Sequence, residues 1–141
     1  MADLDKLFLD ANVLFTAAHN PKGKAAFLFN QPLGAQARWQ LVTSNYAINE
    51  ARRNLERKFP AALPAFERLL TGFVVAPQPA VPAQPLKLRD KDIPIWSAAL
   101  ATEATHLLTG DIRDFGPHMN HAEQSFGIII QTVAQYFEII N

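Results

Sequence analysis

The sequence lacks cysteine, net charge and long apolar runs, and each absence excludes a class of protein. With no cysteine among its 141 residues, the chain forms neither a disulfide scaffold nor a thiolate metal site, and it suits a reducing cytoplasm. Its 13 basic and 13 acidic residues cancel, so it is not a strongly basic nucleic-acid binder. No apolar run approaches the roughly 20 residues of a membrane span, and the N-terminus lacks a signal-peptide pattern. We therefore expect a cytoplasmic protein.

Apolar residues make up 49% of the chain, which is enough for one sizeable core in a chain of usual single-domain length. We therefore expect one domain over residues 1–141. The segment PQPAVPAQP at 77–85 carries four prolines and predicts an extended surface connection, because proline breaks helices and central strands. A linker between two domains is the alternative, although neither half alone would make a comfortable domain.

Short apolar runs alternate with helical patterns along the whole chain. The predicted strands cover residues 6–9, 39–44, 73–76, 106–111 and 127–132. A short predicted helix follows Asn12, and longer ones cover residues 22–31, 45–58, 61–72, 89–105 and 133–140. Asp90 is the candidate cap of the helix over 89–105. This alternation predicts an α/β fold, a three-layer α/β/α sandwich with a mainly parallel central sheet. In such sheets the active crevice lies at the carboxyl ends of the strands.

Acidic residues fall where that crevice is predicted. Asp10 directly follows the first predicted strand, Asp111 ends the fourth, and Asp114 comes three residues later. Asp92 shares the apolar face of the helix predicted over 89–105, which is expected to point into the fold. Glu50 lies near the edge of the apolar face of the helix after the second strand. We expect these carboxylates to converge at one edge of the sheet.

Crowded carboxylates repel one another and raise each other's pKa unless cations neutralise them. Mg²⁺ and Mn²⁺ prefer such oxygen ligands, and they support metal-assisted hydrolysis of phosphodiesters. Each acid also has an ordinary explanation of its own. Asp10 could cap a helix, the two acids of TGDIRD could be turn residues, Asp92 could serve the helix dipole, and Glu50 could be a solvated charge.

The segments LDANVLF, the Glu50 helix, KDIPIWSAALA and LLTGDIRDFG, in this order, resemble the PIN-domain nucleases over essentially the whole chain. The resemblance implies a site for Mg²⁺ or Mn²⁺ whose catalytic acids are Asp10, Glu50, Asp92, Asp111 and Asp114. It makes Asp10 and Asp111 direct metal ligands, with the other acids, Asp92 included, acting through water or a second ion. It also implies that Asn12, Thr109 and Ser44 are supporting polar residues. These matches predict a metal-dependent endoribonuclease.

Basic residues could line a groove for RNA phosphates near these acids. Arg113 is the strongest candidate because it stands between the two acids of TGDIRD, and Arg52 and Arg53 follow Glu50 on its helix. A solvated helix face is an equal alternative for the helix group. Further basic residues are Arg57 and Lys58 at the end of the Glu50 helix, and Lys87, Arg89 and Lys91 just before Asp92.

Many bacterial proteins that resemble this chain are VapC-type ribonuclease toxins of type II toxin–antitoxin pairs, which implies an RNA substrate, an antitoxin partner and a homodimer. Other functions predict different residues. An aspartyl phosphotransferase needs an aspartate where this chain has Asn12, and a nucleotide-binding module needs a glycine-rich loop after the first strand. A non-catalytic PIN-fold module that binds RNA or protein stays open, although the complete acid set favours the nuclease.

Overall fold

In the computed structural model, which describes residues 4–30, 38–72, 74–79, 86–122 and 125–140, helices flank a sheet of five parallel strands. The strands are β1 (Asp5–Leu9), β2 (Trp39–Ser44), β3 (Val74–Ala76), β4 (His106–Leu108) and β5 (Ile129–Gln131). The helices are α1 (Ala11–His19), α2 (Lys24–Phe27), α3 (Asn45–Lys58), α4 (Leu63–Leu69), α5 (Ile93–Ala101), α6 (Ile112–Phe115) and α7 (Val133–Ile140). Short 3₁₀ turns cover Pro60–Ala62, Leu70–Gly72 and Gly116–His118.

The strand order is β3-β2-β1-β4-β5, and every pairing is parallel. The predicted α/β sandwich with a parallel central sheet is therefore confirmed. The chain builds outward from β1 to β2 and β3, and then crosses to β4 on the other side of β1. This reversal makes the carboxyl ends of β1 and β4 a topological switch point, where ligands bind in open α/β sheets.

β1 is the central strand, and its sequence explains why. Leu7, Phe8 and Leu9 are completely buried, as expected for a strand with neighbours on both sides and helices over both faces. Trp39 opens β2 as a core residue, and its indole N–H donates to the carbonyl of Leu28 at 2.8 Å. The rigid core places the residues that follow β1 and β4 at a fixed separation.

Two predicted helices are shorter in the structure. α5 covers Ile93–Ala101 rather than 89–105, and its N-cap is Asp92, so the prediction of Asp90 as cap is wrong. Pro94 occupies the first turn, as expected for a residue without an N–H, and Glu103 with φ of 56° ends the helical path. α2 covers only Lys24–Phe27 of the predicted 22–31, of which Gln31 lies outside the described residues.

Other predicted boundaries also move. β4 ends three residues before Asp111, which instead caps the unpredicted helix α6. The predicted helix over 61–72 is α4 with a 3₁₀ turn at each end. Residues 77–79 form neither helix nor strand, and residues 73 and 80–85 of the predicted third strand and connection lie outside the described part. Among the described residues, none of the helices combines the length and apolar character needed to cross a membrane.

Candidate metal centre

Asp10 lies at the carboxyl end of β1 and caps α1. Its carboxylate accepts hydrogen bonds from the Ala11 N–H at 2.6 Å, the Thr109 hydroxyl at 2.8 Å and the Asn12 amide at 3.3 Å. The side chain is almost fully buried. Burial, with smaller contributions from the charges of Glu50 and Asp111, raises the pKa of Asp10 to about 6 against the opposing hydrogen bonds. Asp10 is thus both a helix cap and a buried carboxylate held in one orientation.

Asn12 and Thr109 join the end of β1 to the end of β4. The Asn12 amide also donates to the Thr109 hydroxyl oxygen at 3.3 Å, and its own Oδ1 accepts from the Gly110 N–H at 2.6 Å. The Thr109 oxygen accepts from the Asp111 N–H at 3.0 Å. These bonds lock the two loops together, so the position of Asp111 relative to Asp10 depends on two neutral side chains.

Three further carboxylates form an acidic cluster, defined as Asp92, Asp111 and Asp114. One oxygen from each lies within 4.8 Å of the others. Asp111 Oδ1 caps α6 by accepting from the Asp114 N–H at 3.1 Å. Asp92 makes no such capping bond, and its buried Oδ2 accepts no hydrogen bond from a donor group of the described residues. A buried charged oxygen without a partner is costly, which makes this cluster suited to a cation.

The pKa values of the cluster reflect this crowding. Burial raises the pKa of Asp92 to about 7, and a hydrogen bond to Asp114 and the charges of Asp111 and Asp114 add to the increase. The pKa of Asp114 is lowered, first by that hydrogen bond from Asp92, which stabilises the Asp114 carboxylate. Without a divalent cation, one proton shared by this pair therefore relieves part of the repulsion.

Lys91 supplies the positive charge nearest to the acidic cluster in the described part of the chain. Its Nζ lies 3.7, 3.4 and 3.5 Å from carboxylate oxygens of Asp92, Asp111 and Asp114. Burial lowers its pKa, but the three carboxylates outweigh that effect and raise it overall. The half-exposed side chain can withdraw into solvent when another cation takes its place.

The cluster opens into a cleft of about 450 Å³, called the acidic cleft here because Glu50, Asp111 and Asp114 line it. Its walls also include Asn12 and the basic residues Lys58, Arg89, Lys91 and Arg113. Glu50 lies in one row on α3 with Asn54 and Lys58, one and two turns later, and both also line the cleft. A neighbouring groove is lined by Glu50, Arg53, Arg57 and Lys91. Four of the five predicted acids, together with Asn12 and Arg113, therefore border or adjoin a single cleft. Asp10 is buried and hydrogen-bonded to Asn12, which lines that cleft.

Two predicted residues lie elsewhere. The Arg52 guanidinium donates to both carboxylate oxygens of Glu67 at 2.9 and 3.1 Å and covers the Phe66 ring, so the structure does not bring it to the cleft. Ser44 is fully buried and caps α3 by accepting from the Ala47 N–H at 3.2 Å. Sequence reasoning did not single out Phe15 or Asn54, which line the cleft. Each lies one helical turn after another cleft residue, Phe15 after Asn12 and Asn54 after Glu50, and this spacing is the sequence signal that could have identified them.

The donor set fits a hard divalent cation. The acidic cluster offers only carboxylate oxygens, which Mg²⁺ and Mn²⁺ prefer. The Asp92 Oδ2, which accepts no hydrogen bond within the described part of the chain, and the contacts of Lys91 with all three cluster residues both indicate a place for positive charge. Asp10 adds a fourth carboxylate close enough for the charge of Asp111 to raise its pKa.

Lys91→Met is expected to lower the melting temperature of the metal-free protein by a few degrees and to reduce the Mg²⁺ concentration needed for half-maximal thermal stabilisation by roughly three- to tenfold. The ammonium group competes with the metal for the same oxygens. Thermal unfolding across a Mg²⁺ titration measures both effects, and Lys87→Met, an exposed lysine of the same segment, is the control. An unchanged or higher Mg²⁺ requirement would show that Lys91 does not compete.

A protein-family model described as PIN domain matches residues 6–113 of this chain. No curated protein sequence matches it significantly. Among solved structures, VapBC2 from Rickettsia felis bound to a DNA fragment from their promoter is similar with a TM-score of 0.61 and 14% identity, covering 90% of this chain and 98% of that one.

Two further solved structures show the same fold. VapBC-1 from nontypeable Haemophilus influenzae has a TM-score of 0.56 and 17% identity, covering 92% of this chain and 98% of that one. VapC20 from Mycobacterium tuberculosis, a toxin that cleaves the sarcin–ricin loop, has a TM-score of 0.50 and 20% identity over 74% and 91% of the two chains. At these identities the similarity concerns the fold.

Proposed function

The chain belongs to the PIN-domain family, and we propose that it is an Mg²⁺- or Mn²⁺-dependent endoribonuclease whose residues 1–141 form a single domain. The observation that carries this proposal is the acidic cluster beside Asp10, with a buried carboxylate oxygen to which no donor of the described residues forms a hydrogen bond. The cluster opens into a cleft with Arg113 on its wall. Carboxylates that can hold a metal ion, with the Arg113 guanidinium nearby to contact a phosphate, suit a phosphodiester substrate.

In this proposal Asp10 and Asp111 hold the divalent ion directly, and Glu50, Asp92 and Asp114 act through water or a second ion. The bound ion would lower the pKa of the attacking water and place positive charge beside the phosphate. Asn12 and Thr109 keep the Asp10 carboxylate in place through their hydrogen bonds. Arg113 holds an RNA phosphate at the cleft wall, and Arg53 holds another at the neighbouring groove.

We further propose that the protein is the toxin of a type II toxin–antitoxin pair in the cytoplasm. Two structural neighbours are VapBC complexes and a third is a VapC toxin, which supports an antitoxin partner for this chain. A homodimer agrees with the apolar C-terminal helix α7, where Ile139 is 69% exposed. An antitoxin that covers the acidic cleft would silence cleavage.

The proposed activity is tested by incubating purified protein with a mixed pool of structured and single-stranded RNA in Mg²⁺, Mn²⁺ or EDTA. We expect cleavage with either metal, none in EDTA, and none with Asp10→Asn or Asp111→Asn. Both substitutions keep the acceptor oxygen that caps α1 or α6, so the fold should persist. Asp90→Asn, at an exposed acid just before the cluster, is the matched control and should cleave normally.

The alternative function is a non-catalytic PIN-fold module that binds RNA or protein. The observation that favours it is Lys91, whose ammonium group already pairs with the three cluster carboxylates. In that case Mg²⁺ would give no thermal stabilisation and RNA would stay intact, although the protein is folded. Cleavage that requires both metal and Asp111 would exclude this alternative.

A further inference from the structure

An aromatic patch, defined as Phe15, His19 and Phe59, lies beside the acidic cleft. The rings of His19 and Phe59 stack with centroids 4.4 Å apart and 9° between their planes. Phe15 contacts both, with centroid distances of 4.7 Å to His19 and 5.7 Å to Phe59. Phe59 is nevertheless 44% exposed. Phe59 is therefore accessible to a further flat group, although His19 stacks on its ring.

The aromatic patch is continuous with the acidic cleft. Phe15 and Lys58 line the cleft together with Glu50 and Asp111. Lys58 also lines an adjoining groove of about 540 Å³ with His19 and Phe59, floored by the small side chains of α4 and the turn before it. A strand of nucleic acid whose phosphate lies at the acids can therefore reach the patch along one surface.

Positive charge accompanies this path. Lys58 Nζ lies 6.0 Å from the centre of the Phe15 ring, and Arg57, one residue earlier, donates to Asn54 Oδ1 at 2.7 Å. Within the described ranges, neither Lys58 nor Arg57 forms a salt bridge with a carboxylate. The two cations therefore remain free to neutralise an anionic ligand.

We propose that the aromatic patch is a stacking platform for one unpaired base of a single-stranded RNA, with the phosphate of the same nucleotide held by Lys58 or Arg57. This inference rests on the proposed ribonuclease function and adds a base-binding subsite to it. The subsite takes an unpaired base, because a paired base is not free to stack on a side chain. The exposed Phe59, stacked on a parallel His19 ring and next to cations without a salt-bridge partner among the described residues, matches a flat base joined to an anion. An apolar peptide segment would leave those charges unmatched.

The test measures binding, separately from cleavage, in the Asp111→Asn background. A short fluorescent single-stranded RNA of mixed sequence is titrated with protein, and anisotropy gives the dissociation constant. Phe59→Ala is expected to weaken binding by roughly 5- to 100-fold, and Phe59→Trp should preserve it. Phe126→Ala, at an aromatic residue that is 60% exposed and does not line the cleft, is the control and should have no effect.

Two further readouts separate base stacking from a general structural effect. RNA duplex of the same sequence should bind equally to the parent and to Phe59→Ala, since its bases are not available. The dependence of binding on salt should keep its slope in Phe59→Ala, whereas Lys58→Ala should lower the slope by about 1. Phe59→Leu retains an apolar contact but no ring, so it should resemble Phe59→Ala if stacking is responsible.

Each outcome is decisive once melting curves show that the variants are folded. Unchanged binding of single-stranded RNA by Phe59→Ala overturns the platform. An equal loss on single-stranded and duplex RNA also overturns it. If the protein with Phe59 intact binds no single-stranded RNA at all, the platform fails, and the cleavage assay on the mixed RNA pool decides the ribonuclease proposal separately. If the Asp111→Asn protein binds single-stranded RNA with an affinity that does not depend on Phe59, only the platform fails.

Discussion

Asp92→Asn is expected to lower RNA cleavage by roughly 100- to 1,000-fold while raising the melting temperature of the metal-free protein. Asp92 is buried, its Oδ2 accepts no hydrogen bond from the residues that the structure describes, and its pKa is raised to about 7. Its charge is therefore unfavourable in the fold at pH 8. Asparagine removes that charge and can donate an N–H to Asp114. The substitution removes no helix cap, because the Asp92 side chain makes no capping bond.

The two effects are measured by RNA cleavage in Mg²⁺ and by thermal unfolding in EDTA at pH 8. We expect a gain on the order of 1–3 kcal/mol in the free energy of unfolding, because one pKa unit corresponds to about 1.4 kcal/mol. Asp90→Asn makes the same chemical change at an exposed position and should alter neither quantity. Full cleavage by Asp92→Asn would remove Asp92 from the proposed site, and a lower melting temperature in EDTA would contradict the repulsion.

The position of Asp10 could be predicted from the sequence because it depends on local patterns and on topology. A continuously apolar run, here Leu7–Leu9, predicts a buried central strand, and a polar residue after such a strand must lie at its carboxyl end. Parallel strands then bring Asp10 and Asp111 to the same edge. The structure shows that Asp10 also caps α1. The ordinary explanation and the functional hypothesis therefore describe the same residue.

The pairing of Lys91 could not be predicted in the same way. Its ammonium group reaches Asp111 and Asp114, which are 20 and 23 positions away, only because α5 and α6 begin at the same edge of the sheet. Sequence spacing carries no information on such a contact. Arg52 illustrates the reverse case. It is one residue from Arg53, yet a helix turns successive side chains by about 100°, and Arg52 pairs with Glu67 instead.

Helix boundaries were harder to predict than helix existence, for a related reason. Polar residues from Arg89 to Asp92 fit a first helical turn as well as a loop, and the structure makes them a turn that presents Asp92 at the helix start. A local propensity cannot choose between these arrangements when tertiary contacts decide. Here the turn also carries Lys91, whose carbonyl accepts from the Tyr46 hydroxyl at 3.0 Å.

The stability of the metal-free protein is expected to fall as the pH rises from about 5 to 8. The pKa values of Asp10 and Asp92 are raised to about 6 and about 7 in the fold, above the value near 3.9 of an unfolded chain. Between these values the folded protein binds more protons than the unfolded one. The stability contributed by the protonated carboxyls is therefore complete below pH 4 and is lost as the pH passes the folded-state pKa values.

Chemical unfolding in EDTA at several pH values measures this slope, and two comparisons assign it to the carboxyls. Asp92→Asn should make the slope shallower, because one of the two groups no longer titrates. Burial lowers the pKa of His106, so this residue destabilises the fold as the pH falls below about 6.5 and opposes the trend there. Saturating Mg²⁺ should flatten or reverse the slope, because metal binding requires deprotonated carboxylates. Stability that rises with pH in EDTA would contradict a strained acidic centre.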